Sequence, residues 1–217
     1  MNIRNAIVFA VLCVAAAANA QVIANGSLTG PPGPGVVPGP WYVWQNTPDT
    51  ADTAGPFNFT GTPWTPSPDG GTFVRGIGTS NPAGAEGFAQ TVSGFSVGTA
   101  YQIDIFQTNL GFFDVASMAW VGDRGYWDLI INGVLVDSSN IIDKQLSPSD
   151  PIVWSNDTLT FVAPTTTVEI AFLARSTVPG GPPSYMGIDG IRLKQVPAPG
   201  VLAALGGLAM ITRRRRN

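Results

Sequence analysis

The sequence predicts an all-β protein, a single antiparallel β-sandwich, from three observations. Short apolar–polar alternations recur along the body of the chain, turn residues separate them, and no stretch of the body sustains a 3.6-residue apolar period. Gly (26) and Pro (19) are abundant among 217 residues, and only 12% are charged, which argues against a helical bundle. A hydrophobic fraction of 44% excludes wholesale disorder, and the length suits one sizeable core.

Taken in order, residues 1–20 read as a secretory signal peptide forming a helix. Arg4 is the positive start, Ile7 to Ala18 the apolar run, and Ala18-Asn19-Ala20 the small-residue cleavage site. Residues 21–195 form the sandwich. From Val22 to Pro68 the Pro and Gly clusters exclude helix and leave loops with a few short strands. After Asp69-Gly70-Gly71 the period becomes two. Phe88, Gln90 and Val92 share one face, as do Tyr101, Ile103 and Ile105, and then Trp127, Leu129 and Ile131. Asn132-Gly133 before Val134-Leu135-Val136 signals a type I′ hairpin. Leu159 with Phe161, then Val168, Ile170 and Phe172, mark two more strands, and Gly187 to Lys194 marks the last.

Residues 196–217 read as a tail with three parts. A Pro-rich motif (Pro197, Pro199, Gly200) precedes a short apolar helix from Val201 to Ile211, and Arg213, Arg214, Arg215 and Arg216 follow. Such arginines resist translocation and would hold the tail at the inner membrane. This tail resembles the PEP-CTERM sorting signal of Gram-negative bacteria, with Ala198 where that family has Glu. The resemblance implies processing by an exosortase, transient anchoring in the membrane through a transmembrane helix, and delivery to the cell surface or extracellular matrix.

The body also carries a resemblance. Asn25-Gly26-Ser27-Leu28, Glu86 to Val92, Gly98 to Ile103, the Leu129–Val136 hairpin and Gly187-Ile188-Asp189-Gly190-Ile191-Arg192-Leu193 resemble a galactose-binding-like jelly roll. That resemblance implies a fold shared by carbohydrate-binding modules and surface domains. It also implies a structural Ca²⁺ on Asp189, with an N-terminal acid that Thr29 replaces here.

Asp189 shares parity with Ile191 and Leu193, which puts a carboxylate on a buried side. Burial there requires either backbone hydrogen bonds or an oxygen-ligated ion. Most aromatic residues read as core, Trp127 above all. Trp64, among prolines, and Trp120, in an irregular stretch, lie where loops could present rings to a sugar, with Asp123 and Arg124 as polar neighbours.

Charge and composition narrow the function. Without histidine there is no Ser-His-Asp triad and no imidazole ligand. Between Gln21 and Val196, six basic residues face fourteen acids, a net charge of −8, which is unsuited to nucleic acid. The one cysteine, Cys13, falls in the signal segment, so no disulfide stabilises the body. Glu86 and Glu169 are the only glutamates, Glu169 reads as a solvated strand residue, and nothing marks a nucleophile or a base. The expectation is a non-catalytic surface or matrix module that binds extracellular polysaccharide, with a structural protein lacking any small ligand as the rival.

Overall fold

The computed structural model describes residues 22–197. Two five-stranded antiparallel sheets face each other as a sandwich. The first has the order β1 (Tyr42–Gln45), β4 (Gly87–Ser93), β11 (Thr167–Ser176), β8 (Gly125–Ile131), β9 (Val134–Ser138). The second has the order β10 (Ser155–Val162), β5 (Ala100–Asn109), β12 (Ser184–Gln195), β3 (Phe73–Gly78), β2 (Asp49–Ala51). A small hairpin, β6 (Phe112–Asp114) with β7 (Ala119–Val121), forms a separate two-stranded sheet and packs Phe112 on Tyr185 of β12.

The predicted alternation builds the core. Phe88, Val92, Tyr101, Ile103, Ile105, Trp127, Leu129, Ile131, Leu159, Phe161, Val168, Ile170 and Phe172 all belong to one buried cluster between the sheets. Phe88 stacks on Phe172 at 5.6 Å and meets Trp127 edge-on at 6.0 Å. Truncating one such ring to alanine costs about 3–5 kcal/mol. Gln90, in phase with these residues, is buried because its amide bonds both the N–H and the C=O of Ala24 at 2.9 Å. It thereby pins the incoming chain to β4. The hairpin turn is as expected, with Asn132 at φ 50° and Gly133 at φ 79°.

Three features differ from the sequence reading. The β6–β7 hairpin falls in the stretch read as irregular. Glu169 is half-buried, accepting from Tyr42 Oη at 2.5 Å and Trp44 Nε1 at 3.1 Å, so it is bonded and not merely solvated. Asp189 is fully buried, but on the opposite face to the one parity assigned. Met186 and Ile188 point into the core, and a register shift between Asp189 and Arg192 returns Ile191 to it. Asp189 therefore shares the outer face of the second sheet with Gly187 and Tyr185.

The signal segment and most of the tail, including Pro199, Gly200 and Arg213 to Arg216, lie outside the described residues; Pro197 is the last one described. Among the described residues, no helix is long and apolar enough to cross a membrane.

Candidate functional site

The outer face of the second sheet carries its own apolar layer. Phe73 and Tyr185 rise from β3 and β12, and Trp64, Leu110 and Ile152 cover them from loops. The Asp52–Pro66 loop keeps its shape through its own polar groups. Asp52 accepts from the N–H of Ala54 and Gly55, and the Asn58 amide donates to the carbonyls of Thr53 and Thr62. Trp154 Nε1 then donates to Thr65 O at 3.0 Å, which fastens the loop to the 150s segment.

Between these loops lies a cleft of about 350 Å³ lined by Trp64, Trp120, Gln145, Asp150 and Ile152. The two tryptophans, 56 positions apart in sequence, share its wall. Trp120 is half-buried; its Nε1 donates to Gln145 O at 2.7 Å, and Lys144 Nζ lies 5.6 Å from its ring centre. Trp64 is 6% exposed, so little of its ring is open to the cleft. Gln145 Oε1 is buried and has no hydrogen-bond partner, leaving one acceptor uncommitted in the cleft wall.

Asp123 and Arg124 do not join this cleft. Asp123 Oδ2 accepts from Ser176 Oγ at 2.9 Å and Val178 N at 3.0 Å, pinning the turn after β11. Arg124 is exposed and pairs with Asp143 at 3.7 Å. Neither lines the wall that Trp120 shares with Trp64.

A second cleft, of about 460 Å³, escaped the sequence reading. It is lined by Asp49, Phe57, Arg75, Glu86, Phe112 and Tyr185. Arg75 is buried and pairs with Asp49 at 2.5 Å; its guanidinium carbon lies 5.0 Å from the Phe57 ring centre and 5.3 Å from that of Tyr185. Gly35 N donates to the other oxygen of Asp49 at 2.9 Å. Glu86 accepts from Ile77 N at 2.7 Å and Thr47 Oγ at 3.2 Å. Burial pushes its carboxyl above the ordinary range, Asp49 adds to that, and the Ile77 N–H and Arg75 oppose it. Burial also raises the Tyr185 hydroxyl, against the charge of Arg75. The available signal was an arginine inside the apolar run Phe73-Val74-Arg75, since a buried charge needs a partner.

Asp189 is the third feature of this face. Neither of its oxygens has a hydrogen-bond partner of ordinary geometry. Burial raises its pKa from 3.8 to about 7; the Ser67 hydroxyl and Gly190 N–H nearby oppose the rise, and Asp69 adds to it. The described residues contain no group of three or more His, Cys, Asp or Glu side chains placed to hold a metal. The donors present are nevertheless hard oxygens, and orphaned carboxylate oxygens fit the Ca²⁺ that the jelly-roll resemblance implies.

No family model and no curated protein matches the chain. Solved structures do. The apo form of a cyclase from Fischerella sp. is 14% identical over 82% of this chain and 96% of that one, with a TM-score of 0.54. A CBM4 structure is 14% identical over 81% of this chain and all of that one, at a TM-score of 0.42. The EclA C-terminal domain, a sugar-binding protein, is 14% identical over 49% of this chain, at a TM-score of 0.33, and the chain spans 64% of it. The cyclase likeness shows a shared fold and nothing of function; the other two are too loose to add to it.

Proposed function

We propose that this chain is an exported, non-catalytic jelly-roll module that binds carbohydrate at the outer face of its second sheet. In this reading the PEP-CTERM-like tail anchors it in the inner membrane until an exosortase releases it to the surface or matrix. The observation that carries the binding reading is the convergence of Trp64 and Trp120 on one cleft with Gln145 and Asp150. A sugar ring offers an apolar face to an indole and hydroxyls to amides and carboxylates, so this wall matches both halves of its chemistry. The Arg75 cleft adds a second aromatic wall on the same face. A Ca²⁺ held by Asp189 would act structurally, neutralising a buried charge beneath the loops that shape the site.

The test is a glycan array probed with the wild-type chain and a Trp120→Ala variant. The expected result is binding to a polysaccharide class that falls at least tenfold in the variant. The rival, a matrix protein with no small ligand, is favoured by the deep burial of Trp64. It wins if no glycan binds, or if loss of the Trp120 ring leaves binding unchanged.

A further inference from the structure

The outer face of the first sheet, across the core from both clefts, carries two aromatic rings that the site above does not use. Tyr42 and Trp44 belong to β1, the edge strand, and both donate to Glu169 of β11, at 2.5 Å and 3.1 Å. β4 lies between those two strands, so the donors span two strand spacings, about 10 Å of sheet. Rings that reach so far lie across β4 instead of standing up from it. Trp44 Cε3 is accordingly 3.3 Å from where a Gly87 Cβ would stand, which puts the indole directly over that glycine. Ala89 and Ala171 face outward here yet are fully buried, and Trp44 packs on the small cluster they form with Ile130 and Leu173. Small residues make the bed, and the carboxylate fixes the rings on it.

The other side of each ring is open. Tyr42 is 39% exposed and Trp44 half-buried, and among the described residues neither stacks on another ring or on a cation. Along the same face of β4 and β11 follow the exposed hydroxyls of Thr91, Ser93 and Thr167, the last two bonded to each other at 3.0 Å. Charge on this face is already committed. Both oxygens of Glu169 serve the rings, and Arg175 meets Asp128 at 2.8 Å. The body's acidic surplus disfavours a polyanion. A protein partner is disfavoured by area: two whole aromatic side chains offer at most about 500 Å², against about 800 Å² per partner in a stable interface. The apolar floor around them adds little, since Ile130 and Leu173 are only 7% and 2% exposed.

We propose that Tyr42 and Trp44 form a stacking platform for a neutral, extended polysaccharide chain, with Glu169 as the positioning residue that holds both rings flat. A pyranose sets its apolar C–H face on such a ring and turns its hydroxyls sideways, here toward Thr91, Ser93 and Thr167. The platform rests on the carbohydrate reading of this chain but not on the Trp64–Trp120 cleft, which lies on the opposite face of the sandwich.

The experiment is affinity electrophoresis of the purified chain in gels cast with hydroxyethylcellulose, xylan or galactan, with Tm and near-ultraviolet circular dichroism read for each variant. The Trp120→Ala chain keeps a retardation in at least one gel, and adding Trp44→Ala weakens it at least about tenfold. Trp44→Phe, which keeps a ring, retains most of it. Glu169→Gln offers one acceptor oxygen where the carboxylate offered two, so one ring loses its anchor. It weakens retardation and changes the near-ultraviolet spectrum while Tm stays within about 3 °C, a combination that a merely structural Glu169 would not show. If Trp44→Ala fails to fold, Tyr42→Ala, which removes the more exposed ring, carries the same test. The proposal is overturned if no gel retards the Trp120→Ala chain, if the loss of either ring leaves retardation unchanged, or if Trp44→Phe falls as far as Trp44→Ala. The two sites fail separately: binding lost only with Trp120 removes the platform, and binding lost only with Trp44 removes the cleft.

Discussion

Asp49 and Asp189 are buried on the same face of the same sheet, yet they are stabilised in different ways. Asp49 meets Arg75 at 2.5 Å and a backbone N–H at 2.9 Å, all within the chain. Asp189 meets no partner of ordinary geometry, and beside it stands another acid. The difference teaches how to read a buried charge. One matched inside the chain is part of the fold's own energetics, whereas one left unmatched points to a proton or an ion from outside.

The largest expected effect tests the first half of that contrast. Arg75→Met keeps volume and apolar contact with Phe57 and Tyr185 but strands Asp49, and should cost about 3–5 kcal/mol in urea unfolding. Adding Asp49→Asn should recover a good part of the loss, because the uncompensated charge, more than the lost attraction, sets the penalty. A loss below about 1 kcal/mol would mean that the pair contributes little and that the contrast with Asp189 is empty.

How far the sequence foretold these two sites depends on chain separation and local geometry. The strands were legible because alternation is local: Phe88, Gln90 and Val92 declare a face within five residues. So was the burial of Asp189, but the assigned face was wrong because a bulge adds a residue without any signature in Asp189-Gly190-Ile191-Arg192. Asp49 sits in a stretch that reads only as Pro-rich loop, 26 residues from Arg75, so their pairing is a product of topology. Asp69 looked like an ordinary Asp-Gly turn residue, and only the folded chain brings it to Asp189. Trp64 and Trp120 were expected on loops, yet Trp120 lies in β7 and Trp64 is buried, and Asp123 and Arg124 were judged by adjacency, although neither lines the wall the two rings share.

The next effect sharpens the second half of the contrast. In chelator, Asp189 has a folded-state pKa of about 7 against 3.8 ordinarily, so the folded chain keeps a proton that the unfolded chain gives up. Stability should therefore fall as pH rises between 3.8 and about 7, then level off. Asp189→Asn should flatten that slope and, at pH 8 without calcium, be more stable than wild type by about 1–3 kcal/mol. With calcium the order should reverse, since the variant cannot use the ion. A wild-type profile as flat as the variant's would show that Asp189 is matched by some group within the chain.

The smallest effect belongs to a third kind of charge on the same molecule. Arg124 and Asp143 form an ion pair at 3.7 Å, with side chains 57% and 77% exposed. Water solvates both ends whether or not they meet, and holding two mobile side chains together costs entropy that offsets the weak attraction. Arg124→Ala should therefore change unfolding stability by less than about 0.5 kcal/mol, with little dependence on salt. Because Arg124 is absent from the wall shared by Trp64 and Trp120, the same variant should leave glycan binding at wild-type strength while Trp120→Ala weakens it. A loss of glycan binding in Arg124→Ala would move the binding surface toward the β7–β8 turn and return to Arg124 the role its place in the sequence suggested.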